Sequence, residues 1–153
     1  MRSERACGAL YLRSDHLADL SDAAIEAIVT QAERVTSPLS VCVIVPLGGA
    51  VARVGEHDTA FGHRDTPFDI DVFSIWLDPA EDERHLGWGR AFGTALQPFS
   101  RGVYVNEMGN EGEERIRAAY NPVTFDRLAR LKRQFDPSNF FHLNQNIKPA
   151  ART

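Results

Sequence analysis

The sequence has little cysteine, no long apolar run and no excess of basic residues. Its two cysteines, Cys7 and Cys42, stand alone in apolar, strand-like stretches, which predicts reduced structural thiols rather than a disulfide framework. No apolar run approaches the roughly 20 residues of a membrane-spanning helix. The first ten residues also lack the apolar centre of a secretory signal, so we expect a cytoplasmic protein.

The charge balance argues against nucleic-acid partners. A formal net charge of −4 provides no broad basic field for nucleic acid or an anionic membrane. The one basic concentration, at residues 127–133, has helical spacing and is interpreted as a solvated helix face. With 153 residues, 43% of them hydrophobic, the chain has the size of a single globular domain.

Strand-like and helical patterns alternate along the chain in a recognisable order. Strands are predicted at 7–14, 38–46, 68–78 and 102–108, with helices at 21–35 and 79–97 between them. This order, strand, helix, strand, strand, helix, strand, is that of a split βαβ (ferredoxin-like) unit. It predicts an α+β fold whose antiparallel sheet carries its helices on one face. Two further helices and an extended tail follow, and the loop at 48–67 is the longest irregular stretch.

Two motifs that suggest familiar chemistry have simpler explanations. The stretch "GWGRAFG" lies within the predicted second helix rather than after a strand, so its glycines are expected to let the helix approach the sheet, not to bind a nucleotide. The loop "GEHDTAFGHRD" holds two histidines and two aspartates without the spacing of a metal site, and no metal is predicted. We expect side-chain hydrogen bonds to hold that loop, with Arg64 paired to a carboxylate.

Polar side chains on one face of the last strand are more informative. In "GVYVNEM", alternation directs Tyr104 and Asn106 to one face and Val103 and Val105 to the other, towards the helices. The valines therefore leave a phenol and an amide on the open face of the sheet. For Tyr104 alone, an amphipathic packing role stays open as the alternative.

The two segments "GVYVNEM" and "RLARLKRQFDPSNFFHLNQNIKP" carry a family resemblance. The second resembles the closing signature of the flavin-linked oxidases related to berberine bridge enzyme, within the vanillyl-alcohol oxidase superfamily. The stretches "GGAVARV" and "DTAFGHRD" and the tryptophan-bearing strand are similar to the substrate domain of that family. The resemblance covers nearly the whole chain.

The resemblance implies FAD chemistry and assigns candidate residues. In that family an antiparallel sheet covers the flavin and forms the substrate pocket, and a hydride passes from a substrate carbon to the flavin, which oxygen reoxidises. By position in the motifs, Tyr104 becomes the candidate catalytic residue, and Asn106, Asn144 and Asn146 become candidate flavin contacts. Phe140 and Phe141 are expected to anchor the tail against the body.

One departure from the family pattern shapes the expectations about partners. The sequence, a single domain over 1–153, corresponds to the substrate domain, and no N-terminal FAD-binding domain is found in it. We therefore expect a separate flavin-binding domain, or a homo-oligomer, to cover the open sheet face, which should carry Tyr104 and Trp76. Glu107 also stands where relatives often have an aromatic residue. The alternatives are a remnant or small-molecule binding module without redox activity, and an unrelated small-molecule enzyme of the same strand order.

Overall fold

The computed structural model describes residues 8–109 and 111–151. Four strands and five helices follow in this order: β1 (Ala9–Leu17), α1 (Asp22–Ala32), β2 (Val41–Pro46), α2 (Ala50–Arg53), β3 (Phe68–Trp76), α3 (Asp82–Leu96), β4 (Ser100–Gly102), α4 (Glu113–Ala118) and α5 (Pro122–Phe135). The predicted order of strands and helices is confirmed, with the short α2 inserted in the loop that was expected to be irregular.

The strands form one antiparallel sheet in the order β2-β3-β1-β4. Strand β1 pairs along its whole length with β3, from Ala9 opposite Trp76 to Leu17 opposite Phe68. Helices α1 and α3 contact each other, and α3 lies against β1 and β3. The α+β fold class with helices on one face is therefore confirmed.

The main core lies between the sheet and these two helices. Its buried members come from β1, α1, β3 and α3: Leu17, Ala24, Ile28, Ile70, Val72, Trp88, Phe92 and Leu96. Helix α1 begins as predicted at Ser21, whose Oγ accepts a hydrogen bond from the backbone N–H of Ala24 at 3.4 Å. The sheet thus has one face sealed by helices and one face open.

Glycines in α3 allow the helix to lie directly on the sheet. A Cβ atom placed on Gly89 would come within 2.6 Å of the Tyr11 ring, and one on Gly93 within 1.8 Å of the Arg13 guanidinium. Both distances are shorter than the contacts that real Cβ atoms make, so any larger residue at these positions would require the Tyr11 or Arg13 side chain to move. The structural interpretation of "GWGRAFG" is confirmed, because the stretch lies inside α3.

The last strand is shorter than predicted, and this is a correction. Strand β4 ends at Gly102, and a single 3-10 turn follows at Val105–Glu107. The backbone N–H of Tyr104 donates to the Ser14 hydroxyl at 2.9 Å instead of continuing a strand ladder. Val103 turns away into a second small core with Met108 and Ala119. Burial of this valine therefore bends the chain out of the sheet.

Trp76 lies on the opposite face from the one predicted. Its ring stacks on His85 with 5.4 Å between centroids, and its Nε1 donates to Asp82 Oδ1 at 2.6 Å. Both partners belong to α3, so Trp76 packs under the helices and not beside Tyr104. The alternation of β3 explains this, because Trp76 shares its face with the core residues Ile70 and Val72.

The tail is ordered by polar contacts rather than by its aromatic pair, which corrects the expectation that Phe140 and Phe141 anchor it. Phe140 and Phe141 are 73% and 74% exposed. Instead, the Gln145 side chain donates to the Met108 carbonyl, and the Ala150 backbone N–H donates to the Ala129 carbonyl at 3.0 Å. The two phenylalanines pack on each other, 5.1 Å between centroids, and face outward.

Cys42 is half-buried in β2 and carries a free thiol. Burial, with a smaller contribution from the charge of Asp71, raises the pKa of the Cys42 thiol to about 11. The thiol is therefore protonated near neutrality, as expected for a structural cysteine, while Cys7 lies outside the described residues. Over residues 8–109 and 111–151, the helices are too short or too polar to span a membrane.

Candidate functional site

A cavity of about 400 Å³ opens on the uncovered face of the sheet. Strand alternation in β3 directs Asp69 and Asp71 to this face, opposite Val45 and Val43 of β2. The remaining walls come from the loop at 48–67 and from the 3-10 turn. The full lining is Val45, Leu47, Val51, Phe61, Arg64, Asp69, Asp71, Tyr104 and Glu107.

Asp71 is the most perturbed group of the cavity. Asp71 is only 7% exposed, and its Oδ1 is buried without a hydrogen-bond partner among the described residues. Burial raises the pKa of the Asp71 carboxyl to about 7, and the neighbouring charges of Asp69 and Glu107 add to this rise. A carboxyl group with this pKa can accept or release a proton near neutrality.

A buried serine connects the carboxylates to the segment that carries Tyr104. The Ser14 hydroxyl donates to Asp69 Oδ1 at 2.8 Å and accepts the backbone N–H of Tyr104 at 2.9 Å. The ring of His16 lies on the same side, with Nδ1 3.5 Å from Asp69 Oδ1 but without hydrogen-bond geometry. Burial lowers the pKa of His16, so this imidazole is neutral. Strand β1 therefore fixes Asp69 and Tyr104 relative to each other.

Tyr104 and Asn106, both predicted as site residues, lie side by side. Asn106 Nδ2 donates to the Tyr104 hydroxyl oxygen at 2.8 Å. The Tyr104 ring packs edge-on against Phe61, with 5.6 Å between the ring centroids. Because Tyr104 also lines a second, adjoining cavity with His16 and Asn106, it separates two hollows of the open face.

The long loop at 48–67 supplies the outer wall of the cavity. Arg64 Nη1 donates to the Val51 carbonyl at 2.9 Å, and Nη2 donates to Thr59 Oγ1 at 2.6 Å. The guanidinium also lies over the Phe61 ring, 5.0 Å from its centroid. The expected pairing of Arg64 with a carboxylate is wrong, because Nη1 and Nη2 donate to backbone and hydroxyl acceptors of the same loop, and Nε is buried without a partner among the described residues.

The two tail asparagines lie away from this cavity. Asn144 is exposed and has a left-handed backbone, with φ of 58°, while the half-buried Asn146 borders the clefts between α5 and the tail. Neither side chain makes a hydrogen bond to another described residue, so both amides are free to bind a ligand. The structure thus brings Tyr104 and Asn106 together and leaves Asn144 and Asn146 on a separate surface.

The described residues offer groups that could contact the ring of a flavin but no site for its phosphates. Free amides such as Asn144 and Asn146 match the hydrogen-bonding edge of an isoalloxazine ring. The glycine-rich stretch of α3 lies inside a helix against β1, so it cannot hold a pyrophosphate. Among the described residues, no group of three or more His, Cys, Asp or Glu side chains is arranged to bind a metal ion.

Asp69 and Asp71 are site residues that sequence reasoning missed. They occupy alternate positions in the strand predicted at 68–78 and therefore share one face of it. The signal was the presence of two carboxylates in an otherwise apolar strand, on the same face as Tyr104. Charged groups are rarely buried unless they are paired, and strongly shifted carboxyl pKa values are concentrated at functional sites.

Comparisons with known proteins agree with this architecture. The family model described as "Berberine and berberine like" matches residues 103–148. An uncharacterized FAD-linked oxidoreductase of Bacillus subtilis is 34% identical over 70% of this chain, and a monolignol oxidoreductase of Arabidopsis thaliana is 33% identical over 67%. The chain spans only 24% and 22% of the lengths of these two relatives.

Solved structures show the same fold at lower sequence identity. A berberine bridge enzyme-like protein of Physcomitrella patens superposes with a TM-score of 0.80 at 18% identity, over 95% of this chain and 31% of that one. A carbohydrate oxidase of Microdochium nivale has a TM-score of 0.71 at 23% identity, over 93% of this chain and 33% of that one. The domain therefore corresponds to about a third of each of these larger proteins.

Proposed function

Because the chain belongs to the berberine bridge enzyme-like FAD-linked oxidoreductases, we propose that it forms the substrate-binding part of such an enzyme. The proposed reaction is oxidation of a hydroxyl-bearing carbon, with hydride transfer to flavin and oxygen as the acceptor that reoxidises it. The observation that carries the proposal is the cavity in which Tyr104 lies beside a buried carboxyl with a pKa of about 7, that of Asp71.

The residues of this chain supply binding and proton transfer. Tyr104 is the proposed catalytic residue that contacts the substrate hydroxyl, and Asn106 holds its phenol in place through the 2.8 Å hydrogen bond. Asp71 is the proposed acceptor of the hydroxyl proton, because its pKa lies near the working pH. FAD, when bound, accepts the hydride.

The flavin would be held mainly outside this domain. Asn144 and Asn146 have free amides for the flavin ring, while the glycine-rich helix offers no cradle for the phosphates. We therefore propose a flavin-binding domain as the partner, covering the open face and the tail. This partner also accounts for the exposed apolar side chains on both surfaces, which include Leu10, Val41, Val43, Phe140 and Phe141.

The proposal is tested by reconstitution. The chain is mixed with candidate flavin-binding domains, and each mixture is separated by size and assayed with a panel of alcohols. We expect flavin absorbance to elute with the chain and oxygen to be consumed with substrate. The absence of any association with such domains would overturn the proposal.

A binding module without redox activity is the second candidate. The unsatisfied Asp71 oxygen and the preformed cavity favour ligand binding whether or not a flavin is present. Flavin reduction in the reconstituted mixture distinguishes the oxidoreductase from the binding module. A chain that binds small alcohols but never supports flavin reduction in the reconstituted mixture is a binding module.

A further inference from the structure

The cavity on the open face has an excess of negative charge. Asp69, Asp71 and Glu107 line it, and Arg64 is the one cation that the described residues contribute to its lining. Over residues 8–109 and 111–151, no ion pair joins Arg64 to a carboxylate, and none joins Asp71 or Glu107 to a cation. The negative charge is therefore not neutralised within the described part of the chain.

One acceptor in the cavity also has no donor. Asp71 is more than nine-tenths buried, and its Oδ1 has no hydrogen-bond partner among the described residues. Leaving a buried acceptor unpaired costs about 1–3 kcal/mol, more for a charged group. Asp71 lines the cavity although its Oδ1 is enclosed, so a cation bound in the cavity would stabilise the ionised carboxyl by its charge.

The other walls of the cavity are apolar and aromatic. Val45, Leu47 and Val51 line one side, and the rings of Phe61 and Tyr104 lie edge to face on the other. Such walls favour the apolar body of a ligand, and the face of an aromatic ring also attracts a cation. Charge and shape together describe a ligand with a positive, hydrogen-bond-donating end and an apolar body.

We propose that the substrate class of this cavity is amino alcohols, in which the ammonium group contacts Glu107, the hydroxyl faces Asp71 and Tyr104, and the apolar or aromatic body packs against Phe61 and Val45. The proposal rests on the proposed function, because the hydroxyl of such a compound is the group to be oxidised. Beyond the proposed function, the amino alcohol proposal specifies that the substrate carries a positive charge and that two carboxylates of the cavity select it.

The experiment compares two ligands of similar size and shape, of which one is positively charged and the other neutral. Phenylethanolamine carries an ammonium group where phenylethylene glycol carries a hydroxyl. Binding to the 153-residue chain is measured by calorimetry at about pH 8, where Asp71 is ionised. We expect the amine to bind at least about tenfold more tightly than the diol, as for a charge-assisted hydrogen bond.

Matched variants assign the effect to the cavity. Asp71→Asn and Glu107→Gln should each weaken amine binding about tenfold, and Glu107→Gln should leave diol binding nearly unchanged. Glu26→Gln removes the same charge from an exposed position of α1, on the other side of the sheet, and should change neither affinity. Circular dichroism of each variant shows whether it is folded, and Glu107→Gln keeps the test valid if Asp71→Asn is not.

Three results decide between the proposals. Equal or tighter binding of the diol would overturn the amino alcohol proposal and leave the redox function standing. No binding of either ligand would also overturn it. Tight, Asp71-dependent amine binding without flavin reduction in the reconstituted mixture would support the cation site and contradict the redox function.

Discussion

At the scale of single residues, Asp71 combines burial, an unpaired oxygen and a pKa of about 7. The groups that face it are the carboxylates of Asp69 and Glu107, the hydroxyl of Ser14 and the guanidinium of Arg64. His16, next to Asp69, is neutral and does not offset the negative charge. Ionisation of Asp71 in these surroundings therefore lowers the free energy of unfolding.

This cost predicts a pH-dependent gain in stability for Asp71→Asn. The folded chain binds the Asp71 proton more tightly than the unfolded chain, in which the carboxyl has its ordinary pKa of 3.8. The stability that protonated Asp71 gives the wild-type fold is therefore lost as the pH rises from about 4 to about 7. Since asparagine does not ionise, the variant should be more stable than wild type by about 2 kcal/mol above neutrality, and equally stable near pH 4.

Urea denaturation at several pH values measures this difference. Glu26→Gln, an exposed carboxylate change on α1, serves as the control and should show no comparable pH dependence. A stability difference between Asp71→Asn and wild type that does not change with pH would contradict the assigned pKa.

At the scale of elements, α3 depends on glycine where it meets β1. Gly93→Ala should destabilise the fold by about 2–3 kcal/mol, because the new methyl group would occupy the position of the Arg13 guanidinium. That guanidinium forms a 2.9 Å ion pair with the buried Asp15, which would also be disturbed.

The same helix provides the matched control. A Cβ atom on Gly87 meets nothing within 4 Å, so Gly87→Ala should be neutral or stabilise α3 by up to about 1 kcal/mol. The free energy of unfolding in urea measures both variants. If the two substitutions had equal effects, close packing of α3 on β1 would not explain the glycines.

Elements were predictable from sequence where local signals decide them. Ser21 before α1 and Asn121 before α5 cap their helices as their residue types suggest, and Pro122 opens α5. The end of β4 was not predictable in this way. It depends on two contacts from elsewhere in the fold: the Ser14 hydroxyl, ninety residues away in sequence, accepts the backbone N–H of Tyr104, and Val103 is buried with Met108 and Ala119.

The candidate site was only partly predictable for the same reason. Adjacent positions on one segment suffice to bring Tyr104 and Asn106 together, and the structure shows them bonded. The cavity also needs β3, the loop at 48–67 and the register of β2 against β3. Asp71 acquires its raised pKa only once these elements enclose it.

At the scale of the whole molecule, several large apolar side chains are exposed on the surface instead of packing in the core. Phe135, Phe140, Phe141 and Leu143, in α5 and the tail, are 73–80% exposed. No pattern in the sequence distinguishes such residues from anchors packed against the body, since an interface and a core use the same residue types.

These side chains predict self-association of the chain when no partner is present. Replacing Phe140 and Phe141 together by serine should reduce the concentration dependence of the sedimentation coefficient, because two adjacent, largely exposed aromatic rings are removed. Val123→Ser changes an exposed apolar residue at the other end of α5 and should have little effect. A wild-type chain that sediments as a monomer at high concentration would contradict the prediction.

The most direct test of the proposed function is the rate of flavin reduction in the reconstituted complex, measured without oxygen as a function of pH. With wild-type chain the rate should rise through about pH 7, as Asp71 loses its proton. Tyr104→Phe should lower the rate about 100-fold. Tyr11→Phe, on the helix-covered face, should leave it nearly unchanged. A rate that is unaffected by Tyr104→Phe and independent of pH would contradict the proposed function of this cavity.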